Sequence, residues 1–243
     1  MNLLIAALMA AAQGQIPFAT IDGGLTAFPG QAVSDVLPGG TIAFGCSAGV
    51  GHRSEGGTTC LAELSACSGL HGGFEAGLEV PVWLADRDRS GHALGDLTLS
   101  GKYLYEEARG GTALSFTGRL RLPTGSIPRD RGSEAAAGFC TSTTYRLFRF
   151  SASAEYALDG GGNPFQHHID DSGHFGFGGT SFVSPDLEAF ASLYGSTLGS
   201  MSAACGVVFS PVEDLFVFLQ GSAALQGNDG TMLRAGISMT TER

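Results

Sequence analysis

Gly95-Asp96-Leu97-Thr98-Leu99-Ser100-Gly101-Lys102-Tyr103-Leu104-Tyr105 decides how the rest of the chain is read. Leu97, Leu99, Gly101, Tyr103 and Tyr105 share one face, and Asp96, Thr98, Ser100 and Lys102 share the other. Successive side chains of a strand point to opposite sides, so this period of two predicts a β-strand. The pattern returns with Leu114, Phe116, Gly118, Leu120 and Leu122 against Ser115, Thr117, Arg119 and Arg121. It returns again with Phe150, Ala152, Ala154, Tyr156 and Leu158 against Arg149, Ser151, Ser153 and Glu155, and last with Leu233, Ala235, Ile237 and Met239 against Arg234, Gly236, Ser238 and Thr240. Between Thr41 and Thr241 the chain reads as about twelve such segments.

A soluble sandwich also alternates, so the connections carry the discrimination. Counted from the first strand, even links are tight: Leu70-His71, Glu107 to Gly110, Leu147, Val183 to Asp186, and Pro211 to Asp214. Odd links are longer and more polar: His52 to Gly57, Ala85 to Leu94, Pro123 to Ala135, Asp159 to Asp171, and Gln226 to Asp229, with a short exception near Thr197. An outer-membrane barrel keeps both termini in the periplasm, so its even links are periplasmic turns and its odd links extracellular loops. The order here fits an all-β, transmembrane, antiparallel up-and-down β-barrel in the bacterial outer membrane, with outer-membrane lipid as its surroundings.

Composition agrees. Only 15% of residues are charged and 38 of 243 are glycine, while mean hydropathy is just +0.15, as expected when the outward half of each strand is apolar and the inward half polar. No apolar run of roughly eighteen residues occurs, the length a membrane helix needs. A net charge of −10 excludes nucleic acid as a partner, since phosphate binding requires a positive field.

Residues 1–12 read as a signal peptide: Leu3 to Met9 is apolar and Ala10-Ala11-Ala12 offers the cleavage pattern. Residues 13–38, with Pro17, Pro29 and Pro38, form an irregular arm, periplasmic or lumen-entering, and residues 39–243 form the barrel. Of five cysteines, Cys46 and Cys60 flank the first loop, but a hairpin centred near Ser54 sets Cys46 across from about Glu63, so no opposed pair follows. Cys140 and Cys205 lie within strands as small hydrophobes, buried or lipid-facing.

Three stretches, Gly73-Phe74-Glu75-Ala76-Gly77-Leu78-Glu79-Val80-Pro81, Leu94-Gly95-Asp96-Leu97-Thr98-Leu99-Ser100-Gly101-Lys102-Tyr103 and Leu120-Arg121-Leu122-Pro123-Thr124-Gly125, resemble the outer-membrane transporter family named for the meta-pathway of phenol degradation. The similarity runs from about Phe28 onward. It implies a barrel that passes small, often aromatic or hydrophobic compounds across the outer membrane, and brings no catalytic residues to carry over. The chain departs from the pattern in its cysteines and in closing on Ser238 to Arg243 without a terminal aromatic residue.

Other constellations have simpler readings. Gly45-Cys46-Ser47-Ala48-Gly49 matches the G-x-S-x-G elbow, which needs a strand, a sharp turn and a helix, whereas alternation continues here through Ile42, Phe44, Cys46, Ala48 and Val50. His167-His168-Ile169-Asp170-Asp171 with His174 has metal-ligand chemistry but the setting of a polar loop. Asp86 to Arg89 and Pro128 to Arg131 are balanced charge runs suited to solvated loop tips. No cofactor and no metal site is read from the chain.

The charges on the polar faces are the candidate lumen and solute-pathway residues: Glu75, Glu79, Lys102, Arg119, Arg121, Arg149, Glu155 and Arg234. A charge there costs little only with water or a partner beside it. Arg119 and Arg121 share a face with Lys102 of the adjacent strand, a cation cluster that would favour anionic or polarisable aromatic solutes. The leading function is therefore passive uptake of small solutes, aromatic or hydrophobic ones among them, through a porin-like, non-enzymatic channel. The alternatives are a barrel-type lipid hydrolase, which needs a Ser and a His meeting on the lipid-facing rim, and a non-transporting surface or scaffold barrel.

Overall fold

The computed structural model describes residues 27–28, 31–32, 36–52, 57–85, 93–108, 111–125, 133–159, 171–212, 214–226 and 230–241. The expected signal peptide, the histidines His167 and His168, and both balanced charge runs lie outside these residues.

Twelve long antiparallel strands form the wall. The first six are β1 (Ile42–His52), β2 (Thr58–Leu70), β3 (Phe74–Ala85), β4 (Leu97–Ala108), β5 (Thr112–Leu122) and β6 (Glu134–Tyr145). The second six are β7 (Phe148–Asp159), β8 (Ser172–Ser184), β9 (Leu187–Ser196), β10 (Met201–Val212), β11 (Leu215–Gln226) and β12 (Thr231–Thr241). Each pairs with its neighbours in sequence, and β12 pairs with β1 from Thr231↔His52 to Thr241↔Ile42, which closes the ring. The expected all-β, up-and-down barrel of twelve strands is what the chain forms.

Tight turns gather at the end where β1 begins and β12 finishes. Two-residue connections such as Arg146-Leu147 and Pro185-Asp186 lie there, as does His71-Gly72-Gly73, whose Gly72 and Gly73 take φ of 76° and 77°, a region L side chains avoid. Arg146 also holds a positive φ, 56°. The longer connections lie at the opposite end, which by the geometry of this class is the extracellular side.

The outward positions are mostly apolar. Leu99, Phe116, Leu120, Phe150 and Tyr156, all read from sequence as lipid-facing, are exposed on the outside, as are Phe44, Leu64, Phe177, Leu219 and Ile237. Tyr103, on the same face, stacks on Phe74 with ring centroids 4.4 Å apart. So continuous an apolar surface around a closed sheet is incompatible with water and complementary to hydrocarbon.

One pairing differs from expectation. Cys46 lies opposite Leu64, not Glu63, because the first hairpin is centred one residue later. Directly paired residues share a face, so Cys46 joins Leu64 outside while Glu63 turns in against Ser47. Cys205 is exposed on the outer face, whereas Cys140 is fully buried on the inner one.

The three stretches that resemble the phenol meta-pathway family meet at one corner of β3, β4 and β5. Pro81 has no N–H to offer the β3–β4 ladder, and Gly95 sits on it, its own N–H donating to the Pro81 carbonyl at 2.7 Å. A Cβ on Gly95 would lie 2.6 Å from the proline ring, so only glycine fits. Next to it the Gly125 N–H donates to Asp96 Oδ1 at 3.1 Å, and the Leu97 N–H donates to Thr124 Oγ1 at 3.0 Å.

The face assignment predicts that Phe116→Arg, near mid-height and outside, destabilises the barrel by about 2–4 kcal/mol in bilayer unfolding titrations, whereas Thr117→Arg, one residue along and inside, costs far less. Equal losses at the two sites would contradict it.

Candidate functional site

The lumen is the candidate site. Glu75, Glu79, Lys102, Arg119, Arg121, Arg149, Glu155 and Arg234 all occupy inward register positions, and the strands add Glu63, Glu134 and Glu188 to them. Glu63 was missed because it was set against the wrong partner, and a one-residue shift of register exchanges inside for outside; Glu134 was read as part of the Pro123 to Ala135 link but begins a strand, and Glu188 stands just past a turn.

The charges are interleaved rather than clustered by sign. Lys102 Nζ lies 3.7 Å from Glu75 Oε1, and both side chains are 0% exposed. Near the extracellular end Arg119 Nη2 donates to Glu155 Oε1 at 2.6 Å and lies 3.2 Å from Glu134 Oε1, while Arg121 Nη2 donates to Glu134 Oε2 at 2.6 Å. Arg234 Nη2 donates to Glu63 Oε1 at 2.5 Å and, with Nε, to Ser47 Oγ. The expected cluster of three cations is therefore a set of carboxylate-paired cations. Nearby acids and bases in a low-dielectric wall hold one another too tightly to leave a one-signed patch.

The opposite arc is different. β10 and β11 contain no Asp, Glu, Lys or Arg. Inward from β9 to β11 stand Phe190, Val208 and Phe218, all buried, together with Ser192, Ser202 and Gln220. The lumen thus has one ion-paired arc and one aromatic and hydroxyl-bearing arc, with Glu188 of β9 at the edge between them.

The segment before β1 reaches into this space. The Leu37 N–H donates to Glu75 Oε2 at 2.7 Å, on the carboxylate whose other oxygen faces Lys102. A Cβ on Gly69 would lie 2.5 Å from the Leu37 carbonyl oxygen, so the chain rests in a notch that only glycine leaves. Val36 and Leu37 are buried. Residues Gln31–Ala32 lie alongside β7 and β8, nearly half the ring from Glu75. The described parts of the arm therefore touch opposite walls.

Ser47, the serine of the elbow-like motif, lies in unbroken strand and accepts from Arg234. A Ser–His contact elsewhere in the ring, Ser172 Oγ with His174 Nε2 at 2.8 Å on β8, joins two residues of one strand inside the lumen, away from the lipid-facing rim a barrel lipase uses. Among the described residues no group of three His, Cys, Asp or Glu could hold a metal ion.

No family model matches the sequence, and no curated protein matches it. Solved structures do. The COG4313 outer membrane channel from Pseudomonas putida F1 superposes with a TM-score of 0.75 over 88% of this chain and 100% of that one, at 13% identity. The KdgM porin in complex with disordered oligogalacturonate gives 0.60 over 82% and 98% at 10% identity, and the NanC porin 0.59 over 82% and 99% at 12% identity. The chain has the outer-membrane porin and channel fold.

Buried pairing makes each partner of Lys102–Glu75 dependent on the other. Glu75→Ala, which strands the Lys102 ammonium, should cost about 3–5 kcal/mol in unfolding, and Glu75→Ala combined with Lys102→Met should recover most of that. A double variant as unstable as the single one would show that Glu75 acts mainly through Leu37.

Proposed function

We propose that this barrel is a passive outer-membrane channel for small amphipathic solutes that pair an apolar, commonly aromatic, body with a polar or charged group. The observation that carries the reading is the division of the lumen. Arg119, Arg121 and Arg149 on one arc offer charge and hydrogen bonds, and Phe190 and Phe218 on the other offer ring faces. A solute that uses both sides replaces its hydration shell in passage without leaving either half unsatisfied. The resemblance to the phenol meta-pathway transporters points to the same class, and the fold shared with porins and the COG4313 channel supports conduction as the role. No step of bond making is assigned to the protein.

A second reading has its own observation. Leu37 is bonded to Glu75, and Gln31–Ala32 lie beside β7 and β8; these two contacts favour a plugged, non-transporting barrel.

Liposome swelling separates the two. With the channel reading, vesicles carrying the full chain admit a small aromatic carboxylate faster than a polyol of equal size, and Phe190→Ala with Phe218→Ala lowers that preference while polyol flux holds or rises. Vesicles that admit neither solute would establish the plugged barrel, and hydrolysis of a soluble ester by the same preparation would revive the enzyme reading.

A further inference from the structure

Four of the long side chains that enter the lumen lie directly opposite an inward glycine on the next strand: Arg234↔Gly49, Glu155↔Gly138, Phe190↔Gly206 and Phe218↔Gly236. At Gly206 and Gly236 the facing ring occupies the space a methyl group would take, with the Leu219 carbonyl also close at Gly206; at Gly138 the Ala154–Glu155 backbone occupies it, and at Gly49 a methyl would meet Arg234 at ordinary contact distance. A Cβ built on Gly206 would stand 2.7 Å from Phe190 Cζ, and one on Gly236 would stand 2.6 Å from Phe218 Cζ. On Gly138 it would lie 2.8 Å from Glu155 Cα and 3.0 Å from Glu155 Cβ, and on Gly49 it would lie 3.5 and 3.6 Å from Arg234 Cβ and Cγ.

The glycines let these groups run along the wall. Arg234 on β12 crosses Gly49 of β1, rests its guanidinium on Ser47, and ends on Glu63 of β2. Glu155 on β7 passes over Gly138 of β6 to reach Arg119 of β5. Both ion pairs therefore skip a strand. Neighbouring strands stand about 4.8 Å apart, so a pair that skips one must span roughly twice that, which these side chains do only when laid flat. The guanidinium of Arg234 lies 5.7 Å from the Phe218 ring centroid, which joins two of the four slots into one paved sector.

We propose that Gly49, Gly138, Gly206 and Gly236 are positioning residues that set the bore and the charge of the pore. They act through Arg234, Glu155, Phe190 and Phe218, which they keep flat against the wall and, for the two charged residues, in reach of their counter-ions. The proposal rests on the channel reading above. It assigns selectivity to uncharged positions: a larger residue at Gly49 turns a wall-bound arginine into a lumen charge, and a larger residue at Gly206 turns a flat phenylalanine into an obstruction.

The test uses the full chain in planar bilayers under a salt gradient. Gly206→Val should lower single-channel conductance and leave the reversal potential in place. Gly49→Val should move the reversal potential toward anions, by about a two-fold change in permeability ratio, although no charge is altered. Arg234→Gln should move it toward cations, and Gly49→Val added to Arg234→Gln should produce no further shift, because the glycine acts only through that arginine. Folded, conducting Gly49→Val and Gly206→Val proteins with parental conductance and selectivity, or additive effects in the double variant, would overturn the proposal. If valine prevents folding, Gly49→Ala, whose methyl meets Arg234 at ordinary contact distance, must give a smaller shift of the same sign. A silent parent would defeat the channel reading alone. The slot would then be read from thermal unfolding, where the coupling between Arg234→Gln and Glu63→Gln should vanish in the Gly49→Val background, and coupling that persists there would overturn it.

Discussion

Every backbone N–H and C=O of a chain surrounded by hydrocarbon must find its partner within the chain, and a sheet achieves this only by closing on itself. The ladder between β12 and β1 is where this molecule meets that demand. It runs without a break from Thr231↔His52 to Thr241↔Ile42, joining residues nearly the whole chain apart. With no free edge, the outer surface can be given over to Phe, Leu, Val and Ile, which would aggregate if the same strands were open in water. Where the β3–β4 ladder stops short, at Pro81, the gap is covered: Gly95 donates to the proline carbonyl, and Asp96 and Thr124 bind the neighbouring N–H groups.

Closure creates an interior, and the interior sets a second constraint. Twelve strands enclose more space than short side chains fill, so long polar residues enter it, and each buried charge then requires a counter-ion. Lys102 and Glu75 meet between adjacent strands, whereas Arg234–Glu63 and Arg119–Glu155 meet across an intervening one. Each pair crosses the intervening strand beside a glycine, Gly49 for Arg234 and Gly138 for Glu155, and Arg234 is also held by Ser47 on the way. The abundance of glycine is thus tied to the electrostatics of the lumen as well as to turns.

The segment ahead of β1 uses the same logic. Gly69 leaves a notch for the Leu37 and Pro38 carbonyls, and Glu75 divides its two oxygens between Lys102 and the Leu37 N–H. A carboxylate already held by an ammonium is a strong acceptor, so the arm is anchored on a group that the wall itself has fixed in place.

The strands, their inward and outward faces and the alternation of short and long links were legible in the sequence, because each depends on a period of two and on local turn chemistry such as Gly72-Gly73. The lumen positions of Lys102, Arg119, Arg121 and Arg234 followed from the same alternation. What each of them touches did not. The partner of Arg119 is set by the β5–β6 and β6–β7 registers together, that of Arg234 by closure of the ring, and the seat of Leu37 by a carboxylate 38 residues further on. Strand periodicity is a property of neighbours along the chain, whereas register, closure and the path of a side chain over a glycine two elements away exist only once the sheet has assembled. That is why the sequence determined the barrel and its two faces, and the tertiary structure alone decided which charges cancel and which side chains lie along the wall.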